Sequence, residues 1–158
     1  MNKLIAITIG DIKGIGIEIL LNLWINKKIN NFVIFTNLQI FKKYLVKKKL
    51  NININTISKK SIIVEYNKKF LNVCSFTAKS DEENTYKSIK IAQNECLKKK
   101  YIGLITLPIR KDLLIKKIDR KFTGHTEYLQ KLENKKYSII ILFNKKILIS
   151  PITTHISI

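Results

Sequence analysis

Leu4–Ile9 is apolar apart from Thr8 and rich in β-branched side chains, and Gly10-Asp11 stops it after six positions. That length and that stop predict a buried strand, reaching back to Lys3. From Gly14 to about Asn26, apolar residues recur three and four apart at Ile15, Ile19, Leu20, Leu23 and Trp24, which predicts a helix with one apolar face. Phe32–Phe35 predicts a second strand and Leu38–Lys47 a second helix. Ile52–Ile57 and Ile62–Tyr66 read as a strand or hairpin, and Phe70–Cys74 as another strand. Ser80 before Asp81-Glu82-Glu83 predicts a helix start, because a serine oxygen satisfies a free amide and acids favour the positive end of the helix dipole. This helix is expected to reach about Lys99, with Tyr86, Ile89, Ile91 or Ala92, Cys96 and Leu97 inward. Ile102–Leu107 predicts a strand ended by Pro108, and Lys111–Lys117 a short helix. Gly124–Leu132 predicts a last helix. Tyr137–Phe143 and Ile147–Ser150 predict two strands around Asn144-Lys145-Lys146.

Strands alternating with helices predict an α/β fold, a mostly parallel sheet with flanking helices. No repeat or linker interrupts the chain, so residues 1–158 are expected to form a single α/β unit. Ligands of such sheets bind outside the carboxyl ends of the strands. Gly10-Asp11, Thr106–Lys111 and Thr153–His155 each follow a predicted strand, which puts three polar motifs at one end of the sheet.

Composition narrows the choice of partner. With 158 residues and 46% hydrophobic content, the chain has enough apolar side chain for a real core. The formal net charge is +19, which raises nucleic acid or another acidic partner. Yet Arg110 and Arg120 are the only arginines, and the lysines are scattered in pairs and triplets without an aromatic platform between them. Bidentate recognition favours arginine, so nucleic acid is disfavoured. The excess of lysine, isoleucine and asparagine fits AT-rich codons. Cys74 and Cys96 match no zinc or redox spacing and read as small buried hydrophobes. No apolar run approaches a membrane span, and Leu4–Ile9 is too short for a signal-peptide core. A cytoplasmic protein without a membrane partner is expected.

Four segments carry candidate chemistry. The turn Gly10-Asp11-Ile12-Lys13-Gly14-Ile15-Gly16 joins strand to helix and puts Asp11 near any ligand at the sheet edge. Its GxxxGxG spacing is neither the dinucleotide fingerprint nor a P-loop. The alternative is a tight turn that lets helix and sheet pack closely. Lys111 sits at a helix start, where a cation opposes the dipole, so it is either ligand-proximal or one surface lysine among many. His125 and Thr126 place an imidazole and a hydroxyl at another helix start, as ligand contacts or as caps. His155 ends the polar trio Thr153-Thr154-His155. As a metal ligand it needs at least two further donors.

Taken in order, these segments resemble the 4-hydroxythreonine-4-phosphate dehydrogenase family of pyridoxal phosphate biosynthesis. The anchors are Ile7-Thr8-Ile9-Gly10-Asp11 with Gly14-Ile15-Gly16 and Glu18, then Thr106, Pro108-Ile109 and Lys111, then Phe122 with Gly124-His125-Thr126-Glu127-Tyr128-Leu129, and finally Thr153-Thr154-His155-Ile156. The resemblance implies an isocitrate/isopropylmalate dehydrogenase-like fold. It implies NAD- or NADP-dependent oxidation of a small phosphorylated amino-acid alcohol, followed by loss of CO2, with help from a divalent metal such as zinc, magnesium or cobalt. His125 and Thr126 match the family's substrate-binding pair, and His155 its first metal histidine. No catalytic or cofactor-binding residue is implied on this chain. The family works as a homodimer with its site between subunits.

The departures are specific. Ile12-Lys13 stands where the family has Pro-Ala; Ile17, Thr123 and Ser157 replace prolines; Arg110 replaces Asn or His. Each lost proline frees the unfolded chain by about 0.4–1 kcal/mol. The family is also about twice as long. Its later metal histidines and its downstream Lys, Asn and Arg contacts have no counterpart in these residues. The chain therefore reads as the amino-terminal half of the family, truncated, with the second half absent. It is expected to be inactive alone and to need a separately encoded second half. The alternatives are a non-catalytic remnant or a basic binding module on the same fold.

Overall fold

A computed structural model describes residues 4–58 and 65–151. The chain divides into two compact units, with the division between Thr123 and Gly124. In the first unit, β1 (Ile5–Thr8), β2 (Phe32–Thr36), β3 (Ile54–Ile57), β4 (Leu71–Ser75) and β5 (Gly103–Thr106) form one sheet in the order β3-β4-β2-β1-β5. Every pairing in it is parallel. The intervening helices are α1 (Ile15–Ile25), α2 (Leu38–Lys47) and α3 (Asp81–Leu97), and α4 (Lys111–Lys117) follows β5. This is the α/β architecture expected from the alternation.

Period-two alternation divides the core between the faces of the sheet. Ile7, Ile9, Phe32, Ile34, Leu71 and Val73 meet Ile17, Leu20 and Leu21 of α1 and Phe41, Tyr44 and Leu45 of α2. Leu4, Ala6, Val33, Phe35 and Cys74 point the other way, toward Ala92 of α3 and Tyr101. Neither cysteine is in a disulfide. Cys74 is buried, and burial pushes the half-buried Cys96 thiol up to about 11. Among the described residues no helix is long and apolar enough to cross a membrane.

Two predicted helix faces are corrected. In α1 the inward residues are Gly16, Ile17, Leu20 and Leu21, with Trp24 packed beside them, whereas Ile15, Ile19 and Leu23 are exposed. Gly16 lies so close to Pro108 that it fixes the rotation of the helix, which apolar spacing alone left open. In α3, Ile89 and Ala92 are buried as expected, but Leu97 is exposed and Asn84, Thr85, Ser88, Gln93 and Glu95 are buried with them. This helix crosses strand ends whose loops offer backbone groups to bond. Asn84 Oδ1 accepts from the Asn37 amide at 2.7 Å, and Thr85 Oγ1 donates to Gly10 O at 2.6 Å. Glu95 is held by Lys98 and Lys100 at 3.0 and 2.6 Å. Burial alone would raise the Glu95 carboxyl, but hydrogen bonds from the two lysines hold it below the ordinary carboxylate value.

Of the two readings of Ile52–Ile57, strand or hairpin, the structure has the strand: β3 pairs in parallel with β4. Residues 62–64 of the expected second arm lie outside the described residues. Buried Asn72 ties this corner together: its amide donates to the Asn67 and Phe70 carbonyls, and its oxygen accepts from Asn55 and the Asn67 amide.

The second unit holds α5 (His125–Leu132) and an antiparallel pair, β6 (Leu142–Phe143) with β7 (Leu148–Ile149). The helix matches its predicted span. The strands are two residues each, shorter than expected, because among the described residues the ribbon has no third strand to extend it. Asn144 makes the turn by accepting from the Lys146 and Ile147 amides.

Candidate functional site

β1 and β5 are neighbours in register, with Thr8 opposite Thr106, so the two loops that leave their carboxyl ends run side by side. The first is the glycine turn. Gly10 has φ +61°, and a Cβ there would lie 2.5 Å from Pro108 O and 2.8 Å from Leu107 Cβ. A Cβ on Gly16 would lie 2.7 Å from Pro108 Cδ. Only hydrogen at these two Cα positions lets the loops touch. The contact is sealed by the Asp11 amide donating to Pro108 O at 2.8 Å and by Thr85 reaching Gly10 O. Asp11 folds back on its own turn, accepting from the Lys13 amide at 3.0 Å, and Gly14 opens α1. The close-packing reading of the glycines is therefore realised in full.

Beside this junction lies a cleft of about 80 Å³, lined by Asp11 and Lys13, by Asp81, Glu82 and Thr85 from the first turns of α3, and by Arg110. Four of its charged residues are ion-paired, Lys13 with Asp81 across the cleft and Glu82 and Arg110 with residues outside the lining. Lys13 Nζ meets Asp81 at 2.8 Å, Glu82 meets Lys117 at 2.6 Å, and Arg110 meets Asp112 at 3.1 Å. The bond to Asp81 raises the Lys13 ammonium, and the bond from Lys117 lowers the Glu82 carboxyl. Asp11 thus lies on the cleft wall. Lys111 is the first residue of α4, with an exposed side chain, and its neighbour Arg110 supplies the wall instead. A roomier cavity of about 710 Å³ lies at the opposite end of the sheet, among Trp24, Ile29, Leu50, Ile52 and Lys69. It sits at the amino ends of the strands, away from the edge where ligands of such sheets bind.

In the second unit, Gly124 takes φ +154° and caps α5, whose first two residues are His125 and Thr126. His125 is half-buried, and its Nε2 is enclosed without a hydrogen-bond partner. A buried polar atom with no partner calls for an explanation, and a ligand group is one. Burial also pushes the imidazole below its ordinary value, so the ring is neutral at pH 7. A neutral ring has one donor and one acceptor nitrogen, suited to a hydroxyl or a carboxylic group. By the same shift, the stability that His125 contributes is full above about pH 6.5, the unfolded value, and is lost as pH falls through the lower folded value. An NMR titration of the ring, assigned with His125→Asn, is expected to give a midpoint below that of a free histidine. A midpoint at or above it would contradict the burial.

Thr153, Thr154 and His155 lie outside the described residues. Among the described residues no group of three or more His, Cys, Asp or Glu side chains could hold a metal ion. Sequence reading missed Asp81, Glu82, Thr85 and Asn84 at this edge. The signal was the Ser80 cap, whose oxygen accepts from the Glu83 amide and fixes where α3 begins. Which loops that start would touch depended on the crossover from β4 over β2 and β1 to β5.

The comparisons with known proteins agree with one another. Residues 28–158 match the family described as pyridoxal phosphate biosynthetic protein PdxA. A 4-hydroxythreonine-4-phosphate dehydrogenase from Sulfurihydrogenibium is 30% identical over 160 residues, covering 96% of this chain and 49% of the relative. Among solved structures, one from Salmonella typhimurium superposes with a TM-score of 0.83 at 23% identity, over 98% of this chain and 52% of that one. A 4-hydroxythreonine-4-phosphate dehydrogenase from Burkholderia phymatum gives 0.80 at 19% identity, over 99% of this chain and 51% of that one. At these identities the two structures speak for the fold. The chain spans about half the length of the relatives it matches.

Proposed function

Because the chain belongs to the pyridoxal phosphate biosynthetic protein PdxA family, we propose that it supplies half of the active site of an NAD(P)-dependent 4-hydroxythreonine-4-phosphate dehydrogenase. In that reaction the substrate alcohol gives a hydride to the nicotinamide and its hydroxyl proton to the medium, leaving a ketone. The resulting oxo acid then loses CO2. The cofactor carries the hydride chemistry, and the protein binds and orients. What supports this reading is His125: a half-buried imidazole with an unpartnered Nε2, in the Gly124-His125-Thr126-Glu127 segment that resembles the family's substrate-binding motif. His125 and Thr126 would hold polar groups of the phosphorylated substrate, while Asp11 and Lys111 stand at the carboxyl edge of the sheet. His155 would give one ligand to a divalent metal. A metal needs at least two more protein donors. The remaining donors would come from the other half of the family fold or from a second subunit of a homodimer. The reaction would run in the cytoplasm, where its cofactor and substrate are soluble.

The test joins residues 1–158 to the unmatched half of the Sulfurihydrogenibium relative. In that joined protein, His125→Ala is expected to lower kcat/KM about ten- to a hundredfold, the loss of one or two hydrogen bonds to a polar substrate, with circular dichroism unchanged. Unaltered kinetics would remove His125 from the site.

A further inference from the structure

The cavity of about 710 Å³ at the amino ends of the strands takes no part in the proposed dehydrogenase chemistry. Its size is that of a small-molecule site, roughly 300–1,000 Å³. Its floor is apolar: Trp24, Ile29, Leu50 and Ile52 are each half-buried against the core and line the cavity with the rest of their surface. Its rim is basic. Lys27, Lys68 and Lys69 line it and no aspartate or glutamate does. The ion pairs of the described residues all involve other basic side chains.

The backbone fixes where these lysines stand. Lys27 follows the Asn26 cap of α1 in the left-handed region, at φ +55°, where glycine is the usual residue. The Lys28 amide closes that turn on Leu23 O at 2.9 Å. Lys68 and Lys69 lie in a turn closed by the Phe70 amide on Asn67 O at 3.2 Å and by the Lys69 amide on Asn67 Oδ1 at 3.0 Å. Buried Asn72 anchors this turn by donating to the same Asn67 carbonyl at 2.8 Å. Helix dipoles act the other way here: the carboxyl ends of α1 and α2 point to this end of the sheet, each bringing about half a unit of negative charge. Three full positive charges outweigh them, so the cavity favours an anion.

We propose that this cavity is a binding site for a small aromatic anion, its ring lying on Trp24 and the aliphatic floor and its carboxylate or phosphate held by Lys27, Lys68 and Lys69. Both parts of the ligand are needed to match the lining. An uncharged ring leaves three cations unused, and a bare phosphate leaves the indole and the aliphatic floor in water. The indole offers a flat face for ring stacking, and lysine binds carboxylate or phosphate as a point charge. The site is separate from the carboxyl edge of the sheet but shares a helix with it: α1 starts at the glycine turn and ends at this cavity.

Trp24 is the only tryptophan in the chain, so its fluorescence reports this site alone. The test titrates residues 1–158 with 1-anilinonaphthalene-8-sulfonate and reads energy transfer from Trp24. Saturable transfer with one probe per chain is expected. Lys68→Gln with Lys69→Gln is expected to weaken binding about three- to tenfold, the worth of two exposed ion pairs, with circular dichroism and the urea midpoint unchanged. Lys42→Gln with Lys116→Gln, at exposed lysines that do not line the cavity, is expected to leave binding as it was. Phenyl phosphate is expected to displace the probe at concentrations where phenol and inorganic phosphate do not. The proposal is overturned by an absence of saturable transfer, by equal affinity in the two lysine variants, or by phenol or inorganic phosphate displacing the probe as well as phenyl phosphate does. So it is by Trp24 emission that shifts with protein concentration before any probe is added, which would assign the cavity to a second copy. The readout needs no turnover, so its failure leaves the dehydrogenase reading standing, and failure of that reading leaves this site standing.

Discussion

Gly10→Val is expected to destabilise the chain by about 3–5 kcal/mol, combining a β-branched residue forced to positive φ with an overpacked contact. Two independent causes act at this Cα. The φ of +61° is a conformation that valine avoids. The new Cβ would also meet Pro108 O at 2.5 Å and Leu107 Cβ at 2.8 Å. The clashing oxygen is backbone, and it already accepts from the Asp11 amide, so it cannot swing away without breaking that bond. The turn also holds Thr85 through the Gly10 carbonyl, so the start of α3 and one wall of the cleft would loosen with it. Urea denaturation followed by circular dichroism reads the loss. Gly103→Ala is the control: nothing lies within 4 Å of a Cβ there, and the expected change is within about 0.5 kcal/mol. Equal midpoints for Gly10→Val and wild type would show that the two loops are not locked together.

Asn84→Leu is expected to cost about 2–4 kcal/mol, because it leaves buried donors without acceptors. Asn84 is fully buried; its oxygen takes the Asn37 amide at 2.7 Å, and its amide gives a hydrogen bond to Thr36 Oγ1 at 3.0 Å. Leucine has a similar volume, so the loss would come from hydrogen bonding and not from a cavity. The effect should be local as well as global. The Asn37 amide should exchange faster than its neighbours in β2, and the α2 cap, where Asn37 Oδ1 accepts from Ile40, should weaken with it. Asn22→Ala on the exposed face of α1 should stay within about 0.5 kcal/mol. An Asn84→Leu protein as stable as wild type would contradict the role given to this asparagine.

Much of the fold was legible because its signals are local. Alternation of short β-branched runs with amphipathic stretches gave β1, β2, β4 and β5 and the spans of α1, α2, α4 and α5 to within a residue or two. Cap chemistry placed the start of α3 at Ser80. What stayed hidden depended on partners distant in sequence. The rotation of α1 is set by Gly16 against Pro108, ninety-two positions away, and it leaves Ile15, Ile19 and Leu23 exposed. The polar inner face of α3 answers loop carbonyls and amides that no window of that helix contains. For the site, the two adjacent motifs at Gly10-Asp11 and Thr106–Lys111 were placed at one sheet edge by strand ends alone, and there they meet. The burial that silences the His125 charge is a tertiary property with no sequence signal. His155 lies beyond the described residues, and its role as a metal ligand stands as a proposal.

The most direct measurement is formation of NADH or NADPH from 4-hydroxythreonine-4-phosphate, with zinc or magnesium present, by residues 1–158 alone and by the same residues joined to the unmatched half of the Sulfurihydrogenibium relative. Half a site predicts no turnover from the chain alone and turnover from the joined protein, lost when His155 is changed to alanine. Turnover by the chain alone would contradict it, and a folded joined protein that forms no reduced cofactor would mark these residues as a non-catalytic remnant.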